Sequence, residues 1–319
     1  MPNKALLSMI ATMVTQSKKQ GVSYIRVSAE YRGQRIDNFL FREYKNLPKS
    51  YIYRIIRSGE LRVNSGRVQP SYKLTDGDRI RVPPLVHKAS PPPRLLDTDV
   101  DSIAKCVLYE DDELLVIDKP AHLVAHSGTA HSFGLIDLLK HKYANSDLNL
   151  VHRLDKDTSG CLVVAKSYEP LLRLQRLFRD SQVEKIYQVL VVGRWQQPQR
   201  VSMPLRRVTQ KQTVADNGKY AVTDFSPIRL FNDYSLMSVS LITGRTHQIR
   251  VHAAHCRHAV VGDKKYGNFA ENRKFVRLGL KRIFLHAHRV SFNWNNRVLS
   301  FEAALPDSLQ RIIDQLATD

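Results

Sequence analysis

His152-Arg153-Leu154-Asp155-Lys156-Asp157-Thr158-Ser159-Gly160 runs directly into the apolar stretch Cys161-Leu162-Val163-Val164-Ala165. A polar turn feeding an unbroken apolar run predicts a loop that delivers a buried strand. Taken alone, Asp155 and Asp157 fit a turn as well as a site, because Asp is a common turn former. The charge order sets the stretch apart. Asp155 lies between Arg153 and Lys156 in a chain whose formal net charge is +19. An acid held among cations in a basic protein points to a reactive carboxylate aimed at a polyanion.

The chain has 319 residues, 43% of them hydrophobic, which is enough for two domains and a sizeable core. The charge selects partners rather than a fold, because such a surface attracts phosphate polymers and anionic membranes. No apolar run approaches the roughly 20 residues that span a bilayer, so no membrane role is expected. Cys106, Cys161 and Cys256 form no spaced framework, and an odd, sparse set fits a reducing cytoplasm. Ala5 to Val14 is mildly apolar but is interrupted by Ser8 and Thr12, with no small-residue cleavage site before Lys18-Lys19. Residues 1–21 therefore read as a flexible tail rather than a secretory signal, with Met13 as an alternative start.

Residues 22–84 read as a small basic unit. Ile36, Phe39 and Leu40 share one helical face, and Pro48 opens a second helix whose Ile52, Ile55 and Ile56 point one way. Gly59 stops it. Short strand-like pieces follow at Leu61-Arg62-Val63 and Arg79-Ile80-Arg81-Val82. The unit holds 13 Lys/Arg against 6 Asp/Glu. A solvated surface is the plain reading of such charge. Tyr53, Arg54 and Arg57 on the short second helix offer charge and stacking together, which suits RNA. Residues 85–105, with Pro91-Pro92-Pro93, read as a semi-rigid linker.

Residues 106–319 read as a larger α+β domain. Leu114 to Ile117, Lys185 to Val192 and Leu236 to Ile242 read as strands. Phe133 to Tyr143, Leu171 to Asp180 and a last segment from Pro306 have helical spacing. Helices do not alternate regularly with strands, so a mixed, mainly antiparallel sheet is expected rather than a doubly wound parallel one. Thr243-Gly244-Arg245-Thr246-His247-Gln248-Ile249-Arg250-Val251-His252 reads as a strand, with Thr246, Gln248 and Arg250 on one face. His252, His255, Cys256 and His258 are metal-ligand types, but no second Cys pair or His-Glu-x-x-His string accompanies them, and no metal is expected. Tyr187 and Leu285 by themselves read as core or rim positions.

The string 152–160, continued through Lys166, resembles the catalytic-aspartate motif of the RluA/RluC-type family of pseudouridine synthases. Lys119 to Gly128, Lys185-Ile186-Tyr187, Thr243 to His252 and Leu285-His286-Ala287 are similar to further motifs of that family. Residues 22–84 resemble an S-four-like RNA-binding module of two helices plus small strands. Gln34 to Leu40 and Pro48-Lys49-Ser50 resemble the RluC branch. The likeness covers almost all of 30–315. It implies an isomerase that converts uridine to pseudouridine in 23S ribosomal RNA or a large-subunit precursor. No cofactor, metal or protein partner is implied, and the chain would act as a monomer in the cytoplasm.

The resemblance also implies residue roles. Asp155 would be the essential carboxylate and Arg250 its partner. An arginine beside a carboxylate favours the charged form and can fix its direction through a two-pronged contact. Tyr187 would lie against the uracil and Leu285 would line its pocket. Arg153 would fill the gap left by the flipped nucleotide, and Arg245 would bind phosphate. Attack on ribose, attack on uracil and removal of a ribose proton to give a glycal all stay open. His122 stands where the family has glycine, Arg257 and Ala259 replace the usual glycine and proline around His258, and Cys161 fills an aliphatic slot. The rival reading is a non-catalytic RNA-binding assembly factor, which the basic unit alone would support. A pure binder has no need of an ionised acid facing phosphates.

Overall fold

The computed structural model describes residues 21–44, 47–85, 97–127, 133–209 and 211–318. The tail expected over 1–21 thus lies almost wholly outside the described residues, as does the linker between 86 and 96. The chain divides into two compact units between Pro92 and Pro93. Among the described residues, no helix is long and apolar enough to cross a membrane.

The first unit has strands β1 (Ser23–Arg26), β2 (Arg62–Val63) and β3 (Arg79–Val82), ordered β1-β3-β2 and antiparallel. Helices α1 (Ile36–Glu43) and α2 (Lys49–Arg57) supply Ile36, Phe39, Leu40, Ile52, Ile55 and Ile56 to one core with Val63, Ile80 and Val82. Gly59 ends the second helix region at φ +74°, a left-handed conformation that suits glycine.

The second unit begins earlier than the expected boundary at 106. Helix α3 (Asp97–Ala104) lies inside the stretch read as linker, and its Ile103 is buried in the main core. It packs on α4 (Leu135–Lys142). The strands are β4 (Val107–Glu110), β5 (Leu114–Lys119), β6 (Asn149–Leu150), β7 (Ser159–Ala165), β8 (Val183–Val192) and β9 (Gln199–Ser202). After them come a separate hairpin of β10 (Leu205–Val208) and β11 (Lys211–Val214), then β12 (Val222–Leu230), β13 (Tyr234–Leu241), β14 (Leu285–Trp294) and β15 (Arg297–Glu302). The remaining helices are α5 (Tyr168–Arg179), α6 (Gln248–His255), α7 (Phe269–Arg277) and α8 (Asp307–Thr318).

The large sheet runs β4-β5-β7-β14-β8-β13-β12-β9, with β15 on β14 and β6 on β7. Its pairings are antiparallel except β7 with β14, so the sheet is mixed and mainly antiparallel. β7 explains its own sequence. Leu162 and Val164 enter one core, while Cys161, Val163 and Ala165 enter another on the opposite face. A strand buried on both faces has no reason to alternate.

β7 and β14 meet at Gly160, whose φ is +110°. A Cβ there would stand 2.2 Å from the Ala287 carbonyl oxygen. Gly160→Ala is expected to cost about 3 kcal/mol or more, from backbone strain plus overpacking. Urea unfolding of the variant measures this, and a cost under about 1 kcal/mol would contradict the close approach.

Candidate active site

Asp155 sits in the loop between β6 and β7, and the loop is anchored on both sides. Upstream, the His152 ring stacks on Phe178 at 4.5 Å, and its Nε2 accepts the Val163 amide at 3.1 Å. Leu154 is buried in the core. Downstream, the Thr158 amide donates to the Asp155 carbonyl at 3.1 Å, closing a tight turn. From below, the fully buried Lys119 Nζ donates to the carbonyls of Pro120 (2.8 Å), Leu123 (2.9 Å) and Lys156 (3.2 Å). Burial, with help from the charge of Arg282, lowers the Lys119 pKa to about 7. The lysine ties the loop after β5 to the loop that carries the acid.

Arg250 meets Asp155 as the resemblance implies, but from a different element and with a different grip. The sequence pattern predicts a strand through 246–251, whereas the structure has a turn followed by α6. Gln248 makes the turn. Its Oε1 accepts the Thr243 hydroxyl (2.7 Å) and the Arg245 amide (3.0 Å), and its Nε2 donates to the Val222 carbonyl (2.9 Å). His247 precedes the helix at φ +56°. Ile249, Val251, His252 and Ala253 are all buried, so the helix shows no one-sided apolar stripe, and its Ile/Val alternation imitates a strand.

The two-pronged contact of Arg250 goes to Asp263. Nε and Nη2 donate to the Asp263 carboxylate at 2.7 and 2.8 Å, and Nη1 alone reaches Asp155 at 3.1 Å. Asp263 also accepts the amides of Lys265 (2.7 Å) and Tyr266 (3.1 Å). Burial opposes its charge, but Arg250 together with the amides of Lys265 and Tyr266 outweighs burial and holds the Asp263 carboxyl below its usual range. Nothing in the motif spacing singles out Asp263. Its one flag is Gly262-Asp263 closing the apolar pair Val260-Val261, where Gly262 has φ +78°. His247 completes the group, with Nε2 3.7 Å from Asp155 and Nδ1 2.9 Å from the Tyr266 hydroxyl.

Asp155 and Arg250 border two cavities. One, about 130 Å³, is lined by Tyr187, Leu241, Ile249 and Leu285. Tyr187 from β8 and Leu285 from β14 are 8% and 4% exposed. Burial, and the nearby negative charge of Asp155, push the Tyr187 phenol up. The other cavity, about 740 Å³, is basic, with His126, Lys156, Lys264, Lys281 and Arg282 on its walls. Arg153 is exposed and lines both. Arg245 lines the smaller one, with its Nε donating to the Tyr220 carbonyl at 3.1 Å. His122 has φ +69° and its Nδ1 lies 2.9 Å from Asp157. A left-handed backbone is natural where the resembled motif has glycine.

In the first unit, Tyr53, Arg54 and Arg57 lie on α2, but their tips are engaged within the unit. Arg54 pairs with Glu60 at 2.6 Å, the Tyr53 hydroxyl is 3.4 Å from Asp37, and Arg57 lies over the Tyr53 ring at 5.3 Å.

Among the described residues, no group of three His, Cys, Asp or Glu is placed to hold a metal. His252 uses Nδ1 with the Thr223 hydroxyl (2.9 Å) and Nε2 with the Met203 carbonyl (3.0 Å). His258 turns Nδ1 to the Val192 carbonyl (2.9 Å) and stacks on Trp195.

Two buried histidines make stability depend on acid. Burial lowers His152 to about 3 and His286 to about 4. In the unfolded chain both return to about 6.5. Below that pH the unfolded state binds more protons, so folding stability falls as pH falls through the window from about 6.5 to 4. Each contributes up to about 1.4 kcal/mol per pH unit. Urea midpoints at pH 7 and pH 4.5 test this, and a slope unchanged in His286→Asn would refute the His286 share.

An arginine clamped by one acid and reaching a second beside a small apolar cavity, in a chain that also carries a basic helical unit, fits an enzyme that acts on RNA. The family model for RNA pseudouridylate synthase matches residues 113–255, and the S4 domain model matches residues 34–80. The chain belongs to the RNA pseudouridine synthase family, whose members are isomerases. It is 39% identical over 306 residues to Ribosomal large subunit pseudouridine synthase C of Vibrio vulnificus (strain CMCP6), covering 93% of this chain and 97% of that protein. With the protein of the same name from Yersinia pestis it shares 41% over 304 residues, 92% of this chain and 95% of that one. Among solved structures, Human RNA Pseudouridylate Synthase Domain Containing 4 superposes with a TM-score of 0.59 at 24% identity, over 69% of this chain and 96% of that chain. This is a likeness of fold.

Proposed function

We propose that this chain isomerises uridines of 23S ribosomal RNA to pseudouridine, with Asp155 as the essential carboxylate. One observation carries the reading. Asp155 stands where the apolar slot meets the basic cavity, with its carboxylate fixed by an arginine that another acid already neutralises. The relatives named above are ribosomal large-subunit enzymes, and that supports the substrate.

The reaction breaks the bond from uracil N1 to ribose C1′ and forms one from C5 to C1′. N1 gains a proton and C5 loses one, so no electrons are exchanged. Tyr187 and Leu285 confine the detached ring, which keeps recapture local rather than bimolecular. Arg153 takes the place of the extruded nucleotide and offsets part of the few kcal/mol that flipping costs. Arg245 holds a neighbouring phosphate. Tyr53, Arg54 and Arg57 contribute RNA contacts from the first unit after exchanging their internal partners for phosphate. Such a substrate calls for a cytoplasmic protein.

The test is a map of pseudouridines in 23S ribosomal RNA from cells lacking the protein, with and without its return. Loss of specific pseudouridines and their restoration is expected. A map unchanged at every position would defeat the ribosomal assignment.

A further inference from the structure

The outer face of the small sheet in the first unit carries a charge pattern that the active site does not use. Ile25, Val63, Ile80 and Val82 turn toward the helices and their core. Strand alternation therefore puts Tyr24 and Arg26 of β1, Arg62 of β2, and Arg79 and Arg81 of β3 on the face away from the helices. The register sets Arg81 between Tyr24 and Arg62, and Arg26 beside Arg79.

Like charges directly opposite one another destabilise a sheet unless something compensates them. The ion pairs of this unit, among the described residues, are Arg35–Asp37, Arg42–Glu43 and Arg54–Glu60. The four sheet arginines have no carboxylate among those residues. Arg62 and Arg81 reach only the carbonyls of Gly59 (3.3 Å) and Glu60 (2.9 Å). The Arg79 guanidinium lies over the Tyr24 ring at 4.0 Å from its centre, and Tyr24 is 54% exposed. On the helix side, by contrast, Arg54 is already paired with an acid. The face thus joins unneutralised guanidiniums to an exposed aromatic ring.

We propose that this sheet face is a second RNA-binding surface, distinct from α2, that takes a single-stranded stretch. The arginines hold phosphates and Tyr24 stacks an unpaired base. A duplex presents charge to the arginines but no free base face to the tyrosine. The proposal rests on the reading of the chain as an enzyme of RNA.

The test uses the full chain and the variant Tyr24→Ala/Arg26→Gln/Arg79→Gln. Each is titrated with a fluorescent oligouridylate, and with an RNA duplex of equal charge, across a salt series. The triple variant is expected to bind the single strand about tenfold more weakly, through the lost stacking. The slope of log affinity against log salt is expected to shrink by about 1.4, at about 0.7 per lost phosphate contact. Arg26→Lys/Arg79→Lys, with Tyr24 kept, is expected to restore the slope. Unchanged affinity and slope in the triple variant would overturn the proposal. So would an equal loss in the lysine variant, which would mark a structural role, or an equal loss on the duplex. If the native chain binds neither RNA, the reading of the whole protein fails with it. If the native chain binds and the triple variant is indifferent, only the sheet face is lost.

Discussion

Asp155→Asn is expected to give a folded protein that binds RNA at least as tightly as the native chain and turns over on the order of 10⁴-fold more slowly. The structure explains why folding survives. Arg250 is neutralised by Asp263 through two hydrogen bonds, and Asp155 receives only the third. Removing the Asp155 charge therefore leaves no buried cation alone, and the amide oxygen can still accept from Nη1. The slot keeps its shape because its walls come from β8, β13, β14 and α6. RNA binding gains slightly, since one negative charge facing phosphate is gone. Pseudouridines formed per protein on a large-subunit transcript measure turnover, and the binding titration runs beside it. A variant that keeps native turnover would remove Asp155 from the chemistry and favour the reading of a non-catalytic assembly factor.

Asp263→Ala is expected to fail differently. It removes both prongs of the clamp and the acceptor of the Lys265 and Tyr266 amides. Arg250, 13% exposed, is left with Asp155 as its nearest counter-charge. Breaking a buried pair in this way costs about 3–5 kcal/mol. The freed guanidinium is expected to close on Asp155 with more than one bond and to turn its carboxylate from the direction it now holds. Turnover is expected to fall at least about 100-fold, a loss of about 2.7 kcal/mol in the barrier. Urea unfolding reads the stability and initial rates read the turnover. Arg250→Met/Asp263→Leu separates the two effects, because it removes both charges together. Its stability should recover most of the loss and its activity none of it. A fully active Asp263→Ala protein would show that the clamp does not set the direction of Arg250.

These two variants mark what the sequence could and could not disclose. The placing of Asp155 in a loop that feeds a buried strand was legible, whereas the groups around its carboxylate, Arg250 and His247, come from far along the chain. The turn and the strand that position it are local, and strand β7 announces itself by five apolar residues in a row. The helices α1, α2, α4, α5 and α8 were legible from one-sided spacing. Helix α6 was not, because it is buried on most sides and carries no stripe. Helix α3 was hidden in an Asp-rich, Pro-flanked stretch that balances its charges. Asp263 was invisible for another reason. Its meaning lies in a bond to Arg250 across a turn, and no period of helix or strand encodes that bond. The cavity walls behave alike. Tyr187 and Leu285 are ordinary core residues by pattern, and only the sheet order brings them to one slot.

The parallel contact between β7 and β14 has a consequence for the moment at which the protein becomes competent. Ser159 Oγ and His286 Nδ1 lie 2.8 Å apart across a separation of 127 residues. During synthesis the acid-bearing loop therefore emerges well before the strand that completes its slot. Non-local pairings of this kind form late, because the intervening chain must be ordered first. The basic first unit, with its own core, is ready from the outset. The site near Asp155 is thus complete only after the last strands of the large sheet have been made, long after the first unit has left the ribosome.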